Sequence, residues 1–250
     1  MRAPYYTATN KMSVVHNSAL GVHAYESDEI WTPDTDIWKS KVLDLAPPNN
    51  PQIASAPGRY WFDRSLYKNH GTISGAKLIK LPSGVWVLNF DGVDDTVNCG
   101  NVATLNFTTQ DFTFIAWINP DNITSNMDIL LRGAYLEDGY YWRILEGSLD
   151  FEVQQSGTRQ TITGAAKVTL SWQQVAFVRS GTVGTFYRNA VNATTSAEAL
   201  SNPTSANRAF QIGSGNSFYK GLIGKLGGRN RALTAQEIRG NWATLLLPIQ

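Results

Sequence analysis

Asp150 and Glu152, two positions apart, are the residues whose type and spacing come nearest to catalysis. On a strand such a pair points to one face, about 7 Å apart by strand rise. Cleaving a glycosidic bond takes two carboxyls roughly 5–9.5 Å apart across a groove, so the spacing permits hydrolysis. The same segment, Leu149-Asp-Phe-Glu-Val-Gln154, is also a plain amphipathic strand with Phe151 and Val153 facing inward. Other catalytic patterns are missing from the sequence. His16, His23 and His70 do not fall in a metal-ligand spacing, and there is no Gly-x-Ser-x-Gly elbow or phosphate-binding loop. The single cysteine, Cys99, precludes an internal disulfide framework and reads as a small residue on a half-buried strand.

Residues suited to binding are better represented. Holding a sugar takes an exposed aromatic ring with amide or carboxylate groups beside it. Tyr135, Tyr140, Tyr141 and Trp142, next to Asn126, Glu137 and Asp138, form the best such set. The loop before Tyr140 lies between two strands, where sandwich ligand sites often occur. Tyr-Tyr-Trp-Arg is equally the pattern of a paired strand, and alternation alone would bury two of those rings. Lys220, Lys225, Arg229, Arg231 and Arg239 gather near the end against only Glu237. They lack the wide stripe with stacking aromatics of a nucleic-acid binder, so the expected contact is an acidic neighbouring subunit or an anionic glycan. Asn106-Phe-Thr, Asn122-Ile-Thr and Asn192-Ala-Thr match the glycosylation pattern but read as turn residues.

Elements must position these groups, and the composition favours strands. The chain has 250 residues, 42% hydrophobic and 11% aromatic with eight Trp, enough to bury one large core. Only 16% are charged, and Gly, Ser, Thr and Asn fill the polar positions, as in chains of strands and turns. A net charge of +1 gives no global attraction to nucleic acid or anionic lipid. No stretch approaches the roughly 20 apolar residues of a membrane helix. The start, Met-Arg-Ala-Pro-Tyr-Tyr-Thr, has no apolar core to serve as a secretory signal. The expected location is therefore a virion or extracellular surface reached without a leader, for example by assembly into a virus particle.

Residues 1–57 differ from the rest. Six of the ten prolines fall there, and Pro47-Pro-Asn-Asn-Pro51 reads as an extended linker. Tyr25, Ile30, Trp31, Ile37 and Trp38 are too apolar for a solvated tail. The segment reads as an irregular arm that packs on its own sandwich or docks on a neighbouring subunit, the latter fitting a homo-oligomer. From 58 to 250, short strands alternate with turn clusters. Strands are expected at Val85–Phe90, Phe112–Ile118, Ile129–Arg132, Tyr140–Leu145, Leu149–Gln154, Trp172–Arg179, Thr182–Arg188, Phe210–Ile212 and Tyr219–Leu226. Ser180-Gly-Thr supplies a hairpin turn. One short C-terminal helix is expected. Thr234 is its N-cap, Glu237 completes a capping box, Leu233 and Ile238 form a hydrophobic staple, and Gly240 and Pro248 limit it.

The order of motifs resembles the laminin-G-like, concanavalin-A-like β-sandwich family over about 190 residues. The pieces are Trp61-Phe-Asp63 with Asn69-His-Gly-Thr72, Val87-Leu-Asn-Phe-Asp-Gly-Val-Asp-Asp95, Phe112-Thr-Phe-Ile-Ala-Trp-Ile-Asn-Pro120, Trp172-Gln-Gln-Val-Ala-Phe-Val178, Ile212-Gly-Ser214 and the run from Lys220 through Asn230-Arg-Ala-Leu to Ile238. The resemblance implies an all-β jelly roll of two antiparallel sheets and a role in display or binding. It also implies a Ca²⁺ site, for which Asp63, Asp91, Asp94 and Asp95 are the available donors. Gly224 and Lys225 stand where many relatives carry acidic residues, which takes away part of that site. The family's Asn-Arg-Ala-Leu turn gives Arg231 a structural role. Its glucanases carry a strand resembling Glu-x-Asp-x-x-Glu or Glu-x-Asp-x-Glu, and Leu149–Gln154 lacks the first and third glutamates.

The function expected is a non-catalytic, surface-displayed module that attaches to a glycan or a surface protein, anchored by its arm. A ligand-free decoration protein that stabilises an assembly is the alternative, and a glycan-cleaving enzyme comes after both.

Overall fold

The computed structural model describes residues 5–6, 12–13, 40–45, 60–194 and 199–243. It divides into two units, Met1–Ser40 and Lys41–Gln250. In the first, β1 (Tyr5–Tyr6) and β2 (Met12–Ser13) pair antiparallel. The second holds β3 (Lys41–Leu45), β4 (Tyr60–Trp61), β5 (Gly71–Ser74), β6 (Lys77–Lys80), β7 (Trp86–Asp91), β8 (Thr96–Asn98), β9 (Phe112–Pro120), β10 (Met127–Ala134) and β11 (Asp138–Leu145). These are followed by β12 (Ser148–Gln155), β13 (Thr158–Lys167), β14 (Gln173–Ser180), β15 (Val183–Arg188), β16 (Val191–Asn192), β17 (Phe210–Ile212), β18 (Lys220–Arg229) and the helix α1 (Ala235–Ala243).

The first sheet runs β13-β12-β11-β10-β17-β8-β5-β4 and the second β16-β15-β14-β9-β18-β7-β6. Each pairing is antiparallel, and the crossovers between sheets make the expected sandwich. β18 organises the second sheet. One edge pairs along β9, while the other pairs with β7 over Lys220–Ile223 and with β3 over Leu226–Arg229. β3 falls inside the segment 1–57 that reads as an arm, yet Leu43 and Leu45 are fully buried. The other described pieces of that segment are β1, β2 and Ser40. The anchoring and subunit contacts expected of the arm fall on residues outside the described set.

Strand alternation builds the core. Phe112, Phe114, Ala116 and Ile118 face the first sheet, and Phe151 of β12 stacks on Phe177 of β14 with ring centroids 3.9 Å apart. Phe107, Tyr140 and Trp142 extend this aromatic cluster. Such pairs add about 0.5–1.5 kcal/mol each beyond their buried area. Thr113, Ile115 and Trp117 point the other way, and there Ala176, Val178, Leu233 and Ile238 form a second apolar cluster under α1. The capping box closes as expected: the Thr234 amide donates to Glu237 Oε2 at 2.8 Å and the Glu237 amide to Thr234 Oγ1 at 3.2 Å. Gly240, expected to limit the helix, instead lies inside it.

The nine expected strands all form, several longer by one to three residues at an end. β13 carries no comparable signal in Thr-Arg-Gln-Thr-Ile-Thr, because its outward partners are charged residues of β12. Asn106 and Asn122 are loop residues as expected, whereas Asn192 closes the short strand β16, and the three side-chain oxygens accept from the amides of Ala206, Thr124 and Thr194. Cys99 is buried as a reduced thiol, and burial pushes its pKa up. No helix among the described residues is long and apolar enough to cross a membrane.

Candidate functional site

The hairpin of β10 and β11 positions the expected binding residues. Its turn is clamped from several sides: the Ala134 amide donates to Asp138 Oδ1 at 2.8 Å, the Leu136 amide to Gln154 Oε1 at 2.9 Å, and the Gly157 amide to the Leu136 carbonyl at 2.8 Å. Gly133 and Gly139 have φ of 116° and 80°, and a Cβ on either would meet the opposite backbone within 2.0 Å. Only glycine fits this pinch. The fixed turn presents Tyr135, 45% exposed, with Leu136 and Glu137 beside it. The Arg159 guanidinium lies 5.3 Å from the Tyr135 ring centroid, within cation–π range. Arg208 pairs with Glu137 and reaches Asp138 at 3.4 Å.

The structure removes Tyr140, Tyr141 and Trp142 from the expected set. Tyr140 and Trp142 face the core, where the Tyr140 hydroxyl donates to the Leu105 carbonyl at 2.6 Å. Alternation buries these two rings, and register turns Tyr141 to the opposite face, where it is still only 2% exposed. Tyr135, Glu137 and Asp138 do come together at one end of the first sheet.

Behind that rim, the outer face of the sheet carries a network of charges. Register sets Asp128 opposite Arg143, Arg143 opposite Asp150, and Asp150 opposite Thr163. In the adjacent row Leu131, Tyr141, Glu152 and Thr161 line up. Arg143 Nε donates to Asp150 Oδ2 at 2.8 Å, and Thr163 Oγ1 donates to Asp150 Oδ1 at 3.0 Å. Glu152 Oε1 accepts from Arg143, Arg159 and Thr161, while its Oε2 accepts from Gln154. Asp150 and Glu152 are both fully buried. Burial raises the Asp150 pKa against the pull of Arg143, and the Arg143 pKa is itself raised because its two carboxylates outweigh the cost of burial. Tyr141 is pushed up to about 12 by burial and by Asp128, Glu152 and Asp138.

A general acid needs an exchangeable proton and open access to the leaving group. Asp150 and Glu152 are instead fixed acceptors, closed over by arginines and threonines. The pair is visible in the sequence. Its saturation is not, because Arg143, Arg159 and Thr163 reach it only through cross-strand pairing.

The four aspartates expected at a Ca²⁺ site separate. Asp63 is buried and accepts from the amides of Asp44, Ser65 and Asn69, each at 2.8 Å, and from Ser65 Oγ at 2.6 Å. It organises the β4–β5 loop and has no oxygen left for an ion. That loop exposes a second apolar group, Phe62, Leu66 and Tyr67. Asp91, Asp94 and Asp95 do converge, each with a carboxylate oxygen within 4.8 Å of the others. Asp95 Oδ2 takes the Asp91 amide and Asp91 Oδ1 takes the Val93 amide, which leaves both Asp94 oxygens and one on each neighbour. Burial and the two neighbouring carboxylates raise the Asp95 pKa. This crowding of like charge fits a hard cation, with carbonyls or water completing the six to eight oxygens Ca²⁺ requires.

A two-sheet antiparallel jelly roll with clamped turns at the sheet ends defines a lectin-type sandwich. The chain belongs to the concanavalin A-like lectin/glucanases superfamily, whose laminin-G-type family model matches residues 91–239. No curated protein matches the chain. Among solved structures it resembles the binding domain of Paraclostridial Mosquitocidal Protein 1, with a TM-score of 0.62 at 14% identity over 83% of this chain and 53% of that one. The botulinum neurotoxin serotype D ligand-binding domain in complex with N-acetylneuraminic acid gives a TM-score of 0.61 at 13% identity, covering 82% and 51%. The botulinum neurotoxin DC binding domain in complex with rat synaptotagmin II gives 0.61 at 15%, covering 84% and 52%. The chain thus spans about half the length of these structures, and at such identities the likeness is one of fold.

Proposed function

We propose that this sandwich is a non-catalytic attachment module that binds a glycan at the end of its first sheet, on the rim formed by Tyr135, Glu137, Asp138, Arg159 and Arg208. The observation that carries the proposal is the exposed Tyr135 ring, held on a rigid turn and flanked by charged groups able to donate and accept hydrogen bonds. The saturated Asp150 and Glu152 beneath it support a binding rather than a hydrolytic role. Two solved structures of similar fold are complexes, one with N-acetylneuraminic acid and one with rat synaptotagmin II; both support an attachment role, and the first supports a glycan ligand.

A glycan array tests this with the whole chain and Tyr135→Ala. Binding should fall up to about tenfold, since a stacked ring contributes about 0.5–1.5 kcal/mol. The near-UV circular dichroism should stay unchanged, because Tyr135 lies outside the core. An array on which the wild type is silent, or on which Tyr135→Ala binds equally, would overturn the reading. Release of sugar that Glu152→Gln abolishes would make the protein an enzyme instead.

The setting proposed is a virion or cell surface, with the segment before Lys41 as the anchor to neighbouring subunits. Ca²⁺ is part of the same proposal, at Asp91, Asp94 and Asp95. A saturable rise of Tm with CaCl₂, absent with MgCl₂ and lost in Asp94→Asn, is the expected result. No rise with CaCl₂ would remove the ion.

A further inference from the structure

Among the described residues the buried arginines are partnered, with one exception. Arg132 donates through Nη1 to the Val102 carbonyl at 2.7 Å and through Nη2 to Asn101 Oδ1 at 2.7 Å and the Ala206 carbonyl at 3.0 Å. Arg179 donates to the carbonyls of Gly181 at 2.9 Å and Thr108 at 2.6 Å, and to Asn202. Arg229, at the end of β18, is 7% exposed, and its guanidinium has no hydrogen-bond or ion-pair partner among the described residues. A buried cation without an acceptor is costly, so such a group normally has a counter-ion.

The nearby carboxylates are already engaged. Register puts Arg229 beside Thr113 and Lys41 on the outer face of the second sheet, away from the core. Asp44 accepts from Lys41 at 2.9 Å and pairs with Lys225 at 3.6 Å. Glu237 accepts from Arg231 at 3.0 Å and from the Thr234 amide at 2.8 Å. Among the described residues, the cations Lys41, Lys225, Arg229 and Arg231 lie around the carboxylates Asp44 and Glu237. Burial pushes the Arg229 pKa down to about 10, with Arg231 adding to the effect and Asp44 and Glu237 opposing it. Even so, the guanidinium stays charged at neutral pH.

We propose that this patch is an oxyanion-binding site, with the Arg229 guanidinium as its floor and Lys41 and Lys225 at its rim. The fork of a guanidinium matches two oxygens of a carboxylate, phosphate or sulfate. A guanidinium this recessed admits one compact oxyanion rather than the side of a bulky polymer. The patch lies on the opposite face of the sandwich from the Tyr135 rim. It neither depends on the glycan reading nor falls with it.

Thermal melts of the full chain in sodium sulfate, phosphate, acetate and glucuronate, each against sodium chloride at equal ionic strength, test the site. The wild type should show a saturable rise in Tm with at least one of these anions, and Arg229→Met should not. A lower half-saturation for glucuronate than for acetate assigns the oxyanion to a sugar acid. Half-saturation by phosphate or sulfate below both assigns a free or ester-borne tetrahedral anion. NMR of the wild-type arginine Nε–H groups gives a second readout that needs no variant, and the same anion should shift the Arg229 signal. No saturable response in the wild type, or an equal response in Arg229→Met, would overturn the proposal.

Discussion

Asp128 is nearly inaccessible, 1% exposed, and holds the loop between β17 and β18 through the Ser217 amide at 3.0 Å. Burial pushes its pKa up to about 6, against the amides of Ser217 and Asn216 and the charge of Arg143, while Glu152 adds to the rise. Tyr141 is the other titratable group that faces it. The folded state therefore binds this proton more tightly than the unfolded chain, whose carboxyl titrates near 3.8. By linkage, the stability this group contributes is full below about pH 4 and is lost as the pH rises to about 6. Asp128→Asn keeps an acceptor for the Ser217 amide and cannot ionise. Urea melts should find the variant more stable than wild type at pH 7, with the gap closing by pH 4. A gap independent of pH would show that the carboxylate is not paying this ionisation cost. At this scale the sequence names the acids and bases, but burial and register assign their states. Asp63 and Asp91 look alike in the chain, yet one is a saturated loop anchor and the other keeps an open oxygen.

Element by element, period-two runs of large apolar residues are legible. Phe112–Ile118 forms within β9, and Trp172–Arg179 forms as β14 from its second residue. The capping box at Thr234 also forms as expected, since both its partners are three residues apart in the chain. β13 and β3 are not legible. β13 is polar on one face because it covers the charges of β12, and β3 has only five residues among prolines. β3 nevertheless buries Val42, Leu43 and Leu45 against β18 and the core. At about 1.5–3 kcal/mol for each such side chain, removing it costs on the order of 5 kcal/mol. That is a large part of the stability of an ordinary domain. The chain 41–250 should fold and melt cooperatively, whereas 58–250 should be insoluble or melt far lower. Equal Tm values for the two truncated chains would show that β3 is dispensable.

Over the whole molecule, the two sheets turn different chemistry outward. The first carries saturated carboxylates and the Tyr135 rim, and the second carries the helix and the basic patch around Arg229. The basic residues between Lys220 and Arg239 cluster in sequence, but in space Lys220 lies apart while Lys225, Arg229 and Arg231 gather with Lys41 around Asp44 and Glu237. Lys220 pairs opposite Asp91 at one end of β18, Arg231 binds Glu237, and Lys41 joins Lys225 from a distant strand. The sequence by itself determined the fold family through the order of its motifs, and it located most strands and the helix because alternation, turn glycines and the helix cap are local patterns that survive without knowledge of partners. The tertiary structure alone decided which aromatic stayed exposed, which carboxylates were neutralised and which arginine was left without an acceptor. Each of those outcomes depends on residues brought together across strands, and strand pairing is not written in the spacing along the chain.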